Sequence, residues 1–169
     1  MRVLGVDPGT AVTGYGVIET GNGTPGMGRL IECGVIKFAK RSSLPRRLHE
    51  LHDGIVELID RHRPTALALE DAFYHKNVRT TLVLGHARGV VLLAAQRAGL
   101  EIAEYPPATI KKTVVGAGGA AKSQVAAMVT RLLRLRQTPK PADAADGVAV
   151  ALTFVIRSPS PRRGEGVRG

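Results

Sequence analysis

The chain has 169 residues, of which 44% are hydrophobic and 22% are charged, and this size and balance predict a single globular domain with its own core. The one cysteine, Cys33, excludes an internal disulfide framework and any zinc site built from several cysteines. The formal net charge of +10 at pH 7 is typical of proteins that bind a polyanion.

The first third of the chain predicts three consecutive antiparallel strands. Runs of β-branched or alternating residues occupy positions 2–6, 15–20 and 30–38. An Asp-Pro-Gly turn and a glycine-rich stretch separate these runs, and both are typical of connections between strands. We therefore expect a β-meander.

After the third strand, hydrophobic residues recur at steps of three and four, which predicts an amphipathic helix over 44–62 that ends before Pro64. A short strand over 65–70, a long helix over 78–97 and a strand over 100–104 follow. This alternation of strands and helices predicts parallel strands joined by right-handed crossovers.

The remainder of the chain predicts helices. A glycine-rich loop at 116–119 precedes one of them, and a last helix begins near Ala142 and ends at about Ile156. Residues 157–169 are rich in Pro, Gly, Ser and Arg without periodicity, which predicts a disordered basic tail. We therefore expect one α/β domain over residues 1–156, with a mixed five-stranded sheet flanked by helices.

The sequence contains no apparent membrane or export segment. The longest apolar run covers 148–156, whereas a membrane helix needs about 18 residues. Asp7 interrupts the apolar stretch at the N-terminus, which is unlike a signal peptide. We expect a cytoplasmic protein that does not bind membranes.

The positive charge is concentrated in the second half of the chain. Residues 72–142 contain eleven Lys and Arg but only two acids, Glu101 and Glu104. This asymmetry favours a nucleic-acid partner. The alternative is a solvated basic face without a partner.

Four acids lie at the ends of otherwise apolar predicted elements. They are Asp7, Glu70, Asp143 and Asp146. The first two follow parallel strands, whose carboxyl edge is where open α/β sheets place their ligands, and the last two share one face of a helix. Each acid alone could serve only a turn or a helix dipole. Together, in a basic protein, they predict a two-metal site for phosphodiester chemistry.

Aromatic and basic residues follow Glu70 directly. They are Phe73, Tyr74, Lys76 and Arg79. An aromatic ring beside a cation suits stacking on an unpaired base. The alternative for either ring is packing in the core.

Five separated segments agree in order and spacing with known motifs. They are GVDPGTAVTGYGVI at 5–18, LALEDAF at 67–73, NVRTTLVLGHARGVVLLAA at 77–95, YPPATIKKTVVGAGGAAKSQVAAMV at 105–129 and PADAADGVAVAL at 141–152. This pattern resembles RuvC-type Holliday-junction resolvases. The resemblance implies an RNase H-like fold and a homodimeric, magnesium-dependent endonuclease. Such an enzyme nicks two opposed strands of a four-way DNA junction, leaving 5′-phosphate and 3′-hydroxyl ends.

The resemblance also implies roles for individual residues. The four acids correspond to the family's ligands for two Mg²⁺ ions, which Mn²⁺ could replace, with Asp7 bridging the ions. Phe73 corresponds to a junction-contacting aromatic, and Lys111 and Lys122 to DNA-facing lysines, with Lys112 beside the first. Lys122 is expected to assist catalysis by offsetting phosphate charge. RuvA and RuvB are the implied partners.

The sequence departs from the family at three positions. Asp71 stands where many relatives have Gln, and the sequence leaves open whether it joins the metal site. Asp143 stands where some relatives have His, and Gly147 where relatives often have Ala. The glycine is expected to loosen the start of the last helix.

Three alternatives remain open at this stage. GVDPGT also resembles the first phosphate motif of actin-like sugar kinases, although these need a duplicated fold. A YqgF-type relative linked to RNA processing would share the fold. A protein that binds junctions without cutting them would not need all four acids.

The implied dimer needs an interface, and the predicted helix over 78–97 is the candidate. Its apolar residues cover more than the stripe that one face of a sheet would bury. The residues that form this wide surface are Leu82, Val83, Val90 and Leu93, together with His86. The alternative is a helix fully buried in its own core.

Overall fold

The computed structural model describes residues 1–21, 27–72 and 76–158. Its first three strands are β1 (Arg2–Asp7), β2 (Val12–Glu19) and β3 (Arg29–Lys37). β2 pairs antiparallel with both β1 and β3, so the predicted meander is confirmed.

The middle of the chain has the predicted alternation. It consists of α1 (Leu44–His62), β4 (Ala66–Glu70), α2 (Val78–Arg97) and β5 (Glu101–Tyr105). β1 pairs parallel with β4, and β4 pairs parallel with β5. The strand order is β3-β2-β1-β4-β5, which confirms the mixed five-stranded sheet.

Three helices complete the described fold, namely α3 (Pro107–Val115), α4 (Lys122–Leu132) and α5 (Ala142–Arg157). α5 agrees with the predicted bounds to about one residue. Residues 159–169 lie outside the described residues, so the disordered tail, and with it the division at residue 156, stays a prediction.

The sheet separates two hydrophobic cores because alternate strand residues point to opposite faces. On one face α1 and α2 cover Leu4, Val6 and Leu69. On the other face α3, α4 and α5 cover Val3 and Ala68. Both faces are therefore buried, as parallel strands require.

α5 lies unusually close to β1 and β2 because glycines face it. A Cβ atom on Gly5 would stand 2.4 Å from the backbone nitrogen of Ala151, and one on Gly14 would stand 1.8 Å from the carbonyl oxygen of Asp143. Gly147 makes the reciprocal approach, since its Cβ would stand 2.5 Å from the Cα of Tyr15. Gly147 is therefore buried and permits close packing, a role that the sequence did not indicate, while the expectation that it loosens the start of α5 stays a prediction.

α2 buries one side and exposes apolar residues on the other. Ala87, Val91 and Ala94 lie in the core, whereas Val78, Leu82 and Leu93 are 74%, 60% and 55% exposed. His86 is also exposed, while Val83 and Val90 are partly buried. The alternative of a helix fully buried in its own core is therefore wrong for the described chain.

α2 is also the one helix, within the described ranges, that is long and apolar enough to cross a membrane by length and composition alone. The sequence interpretation did not recognise it because Arg79, Arg88 and Arg97 interrupt its apolar residues. One side of α2 packs on the sheet, and Arg88 is ion-paired within the fold. These contacts show that α2 is part of the folded domain, in which one of its apolar sides is left uncovered.

Candidate active site

The predicted acids meet at the carboxyl edge of the sheet. Asp7 ends β1 and Glu70 ends β4, and the two strands are hydrogen-bonded neighbours in which Val6 pairs with Leu69. Asp146, in the first turns of α5, lines a cavity of about 70 Å³ together with both of them. Three of the four predicted acids therefore share one cavity.

Asp143 lies beside this cavity and is not among the residues that line it. Its backbone is held against β2 at Gly14, and Gly14 is the register partner of Asp7. Its carboxylate still contributes to raising the pKa of Lys122. Gly14 was not predicted as a site residue, although a glycine inside a strand indicates close backbone approach.

Two lysines stand on the wall of the cavity opposite the strand ends. Lys111 comes from α3, and Lys122 is the first residue of α4. Lys122 Nζ donates to Asp146 Oδ2 at 3.1 Å, and this hydrogen bond and its charge raise the pKa of the lysine. The Lys122 side chain is 77% exposed, so a phosphate in solvent can reach it.

The negative charge of each carboxylate disfavours the ionised form of its neighbours. Burial, followed by the neighbouring Glu70 and Asp146, raises the pKa of Asp7 from 3.8 to about 9. Burial and the charge of Asp146 also raise the pKa of Glu70, against the lowering effects of Asp7, Lys122 and Lys111. Among the described residues no three such side chains are already arranged around a single point as metal ligands. The chemistry of the acids nevertheless suits a divalent cation, because Mg²⁺ prefers oxygen ligands and would compensate their repulsion.

A pH-dependent stability follows from the pKa of Asp7. Between the ordinary value of 3.8 and the folded value of about 9, the folded state holds a proton that the unfolded state has lost. Stability must then decrease as pH rises. We expect the thermal midpoint of metal-free protein to fall from about pH 5 to about pH 9, and to fall less in Asp7→Asn.

The measurement is thermal unfolding in a chelator across that pH range, repeated with Mg²⁺. Added Mg²⁺ should offset the loss at high pH, because the cation replaces the proton. Parallel curves for wild type and Asp7→Asn would contradict the role given to this carboxyl group.

Asp71 turns away from the cavity that the three acids line. It is 5% exposed, and its Oδ1 pairs with Nη1 of Arg88 on α2 at 3.1 Å. It is absent from the residues that line the cavity. The position that departs from the family pattern therefore belongs to an ion pair beside the site.

The remaining predicted DNA-binding residues surround this edge of the sheet. Lys112 follows Lys111 and is exposed, and Lys76 and Arg79 are exposed at the start of α2. Phe73 and Tyr74 lie outside the described residues, so their predicted contacts with DNA stay predictions.

Comparison with known proteins agrees with this geometry. The family model described as "Crossover junction endodeoxyribonuclease RuvC" matches residues 3–154. A protein of that name from Halorhodospira halophila is 47% identical over 160 residues, covering 95% of this chain and 93% of the relative.

Solved structures give the same result. The structure of Thermus thermophilus RuvC in complex with Holliday junction substrate has a TM-score of 0.84 and 34% identity, covering 92% of this chain and 93% of that one. The yeast mitochondrial Holliday junction resolvase has a TM-score of 0.63 and 15% identity, covering 91% and 78%. That more distant likeness concerns the fold alone, which is RNase H-like.

Proposed function

The chain belongs to the RuvC family of crossover junction endodeoxyribonucleases, and we propose that it resolves four-way DNA junctions by paired, symmetric nicks in recombination and repair. The observation that carries the proposal is the meeting of Asp7, Glu70 and Asp146 in one cavity with two lysines. Carboxylates that hold cations, beside lysines that attract phosphate, are what phosphodiester hydrolysis requires.

Each acid has a proposed role in holding metal. Glu70 and Asp146 both act electrostatically on Asp7, so Asp7 would suit the role of a ligand shared by two ions, with Asp143 completing the set from α5. Bound Mg²⁺, or Mn²⁺ in its place, would lower the pKa of the attacking water and stabilise the leaving 3′ oxygen. The products would then carry 5′-phosphate and 3′-hydroxyl ends.

The lysines act on the phosphate in this proposal. Lys122 carries a point charge on a flexible side chain. Its Nζ donates to Asp146, and it would donate to a phosphate oxygen when DNA is bound. Lys111 approaches Glu70 closely enough to lower its pKa and would hold the same phosphate from the α3 side. Both lysines favour the negatively charged transition state.

The surrounding basic residues would position the DNA. Lys112 is exposed and directly follows the cavity residue Lys111, and Lys76 and Arg79 are exposed where α2 begins. Phe73 and Tyr74 lie between Glu70 and these cations in sequence, and an aromatic ring beside a cation suits stacking on an unpaired base. We assign these residues to DNA binding.

The direct experiment incubates the protein with a labelled mobile four-way junction, with and without Mg²⁺. We expect paired nicks only with the metal and far weaker cutting of a linear duplex of equal length. Metal-independent binding without any nicking would instead support a non-catalytic junction-binding protein.

We also propose a homodimer joined through α2. The described domain holds one cluster of these acids, and resolving a junction takes two symmetric nicks, so two copies related by a two-fold axis are needed. The uncovered apolar side of α2, with Val78, Leu82 and Leu93, is the surface that a second copy would bury.

Leu82→Glu is expected to convert the dimer into a monomer, because two buried charges would face each other across the two-fold axis. The variant should stay folded, since Leu82 is 60% exposed in the isolated chain. Sedimentation gives the mass, and a junction labelled on both strands reports paired nicking, which should be lost. Met27→Glu, at an exposed apolar residue distant in sequence, is the matched control. A wild-type monomer at micromolar concentration, free and junction-bound, would contradict the dimer.

The family membership supports two further assignments. We propose that the branch-migration proteins RuvA and RuvB deliver the junction to this enzyme, and that it acts in the cytoplasm, where its DNA substrate lies. Co-sedimentation with RuvA and RuvB on a junction tests the first assignment.

A further inference from the structure

Asp71 occupies a fixed place directly after Glu70. Its backbone N–H donates to the carbonyl oxygen of Tyr105 at 2.8 Å, which continues the pairing of β4 with β5 by one residue. Its carboxylate is buried within this corner of the fold. These contacts of Asp71 fix the direction of the backbone directly after Glu70.

Arg88 connects this corner to two neighbouring elements. Its Nη1 pairs with Asp71 Oδ1 at 3.1 Å, and its Nη2 donates to Glu104 Oε2 at 2.5 Å. One guanidinium on α2 thus joins the end of β4 to the end of β5. Its planar fork suits simultaneous contact with two carboxylates, which a lysine could not reproduce.

The same arginine lies beside the proposed metal ligands. A second cavity, of about 120 Å³, has Arg88 and Thr81 of α2 on one wall and Asp7 and Glu70 on the other. The two carboxylate partners compensate the charge of Arg88, and its side chain is only 25% exposed. These contacts favour a role within the protein over direct binding of a DNA phosphate.

We propose that Arg88, acting through Asp71, is a positioning residue that fixes the Glu70 carboxylate for metal binding. The inference rests on the proposed function, since it takes Glu70 to be a metal ligand. Residues behind a ligand orient it, and their loss typically weakens metal binding about 10-fold to 100-fold. Here Arg88 would act indirectly: it holds Asp71 in place, and the backbone of Asp71 then fixes the backbone of Glu70.

Two variants separate positioning from stability. Arg88→Met removes the guanidinium and leaves the buried Asp71 without this ion pair, so the variant could unfold. Arg88→Met with Asp71→Asn removes both charges of the pair and keeps the shape of the carboxyl group. Arg97→Met removes a positive charge from the exposed end of the same helix and is the matched control.

Mn²⁺ binding is measured by calorimetry on the protein alone, beside junction affinity in a chelator and the Mg²⁺ concentration for half-maximal nicking. We expect the double variant to bind Mn²⁺ about 10-fold more weakly and to need correspondingly more Mg²⁺, with junction affinity unchanged. Arg97→Met should resemble wild type in metal binding.

A folded double variant with wild-type Mn²⁺ affinity would overturn the proposal, even if its thermal midpoint fell, because that result indicates a merely structural ion pair. Failure of the proposed function has a different signature. If wild-type protein binds Mn²⁺ but cuts no junction, the calorimetric comparison still decides the role of Arg88.

Discussion

Asp7→Asn is expected to slow junction nicking by about 10³-fold or more while junction binding persists. The substitution keeps the size of the side chain but removes the negative charge that this ligand would offer to a bound cation beside Glu70 and Asp146. A loss of about 4 kcal/mol in charge stabilisation of the transition state corresponds to that factor. Binding should persist because the lysines and arginines around the cavity are untouched.

The repulsion among the acids adds a second expectation for this variant. Burial and neighbouring carboxylates raise the pKa of Asp7 to about 9, so without metal at neutral pH this carboxyl group holds a proton and is as uncharged as the amide that replaces it. Junction binding in a chelator should therefore equal that of wild type at neutral pH and exceed it above about pH 9, where the wild-type carboxylate would add a negative charge near the phosphates.

Single-turnover nicking and gel-shift titration of the same junction measure both effects. Asp53→Asn, the same change at a 62% exposed side chain on α1, is the matched control and should cut normally. Nicking by Asp7→Asn at close to the wild-type rate would exclude the proposed metal site.

The affinity for DNA is expected to fall steeply with salt. Residues 72–142 have a net charge of +9, and Lys111 and Lys122 among them line the cavity. Each phosphate that a duplex-binding protein neutralises contributes about −0.9 to the slope of log K against log salt. With roughly four or more phosphates contacted, the slope should be steeper than about −3, which is about a 60-fold loss of affinity for each fourfold rise in salt.

One lysine variant and one arginine variant test whether the salt dependence arises from cations at the cavity. Lys111→Gln, which removes a cation from the cavity wall, should reduce the magnitude of the slope by about 1. Arg29→Gln, which removes an exposed cation paired with Glu19 at the opposite edge of the sheet, should leave it unchanged. A wild-type slope near zero would reject nucleic acid as the partner.

Much of the fold could be predicted because its signals are local. The amphipathic period of α1, the apolar runs of the strands and the helix break before Pro64 need no knowledge of distant residues. The proximity of Asp7 and Glu70 was also predictable, because neighbouring parallel strands end at the same edge of a sheet.

The contacts between distant segments were not predictable in the same way. Asp71 follows an acid and precedes an alanine, and nothing local indicates that an arginine 17 positions later pairs with it. The burial of α2 was likewise not predictable, because its apolar residues would suit either a buried or an exposed side until the elements that pack against it are known. The separation of Asp143 from the cavity depends on the depth at which α5 lies, which the glycines of β1 and β2 determine.

The glycine-mediated contact between α5 and the sheet has a consequence for the order in which the protein becomes active during synthesis. Asp7 and Glu70 belong to the first half of the chain, but Asp146 arrives only with α5, the last described helix. A ribosome releases the chain from its N-terminus, and contacts between segments so far apart form late. A nascent chain that has completed β1 and β4 therefore has two of the carboxylates but not the third. The cavity would therefore gain its full set of carboxylates only when the C-terminal helix docks, and we expect an incomplete chain to lack nuclease activity.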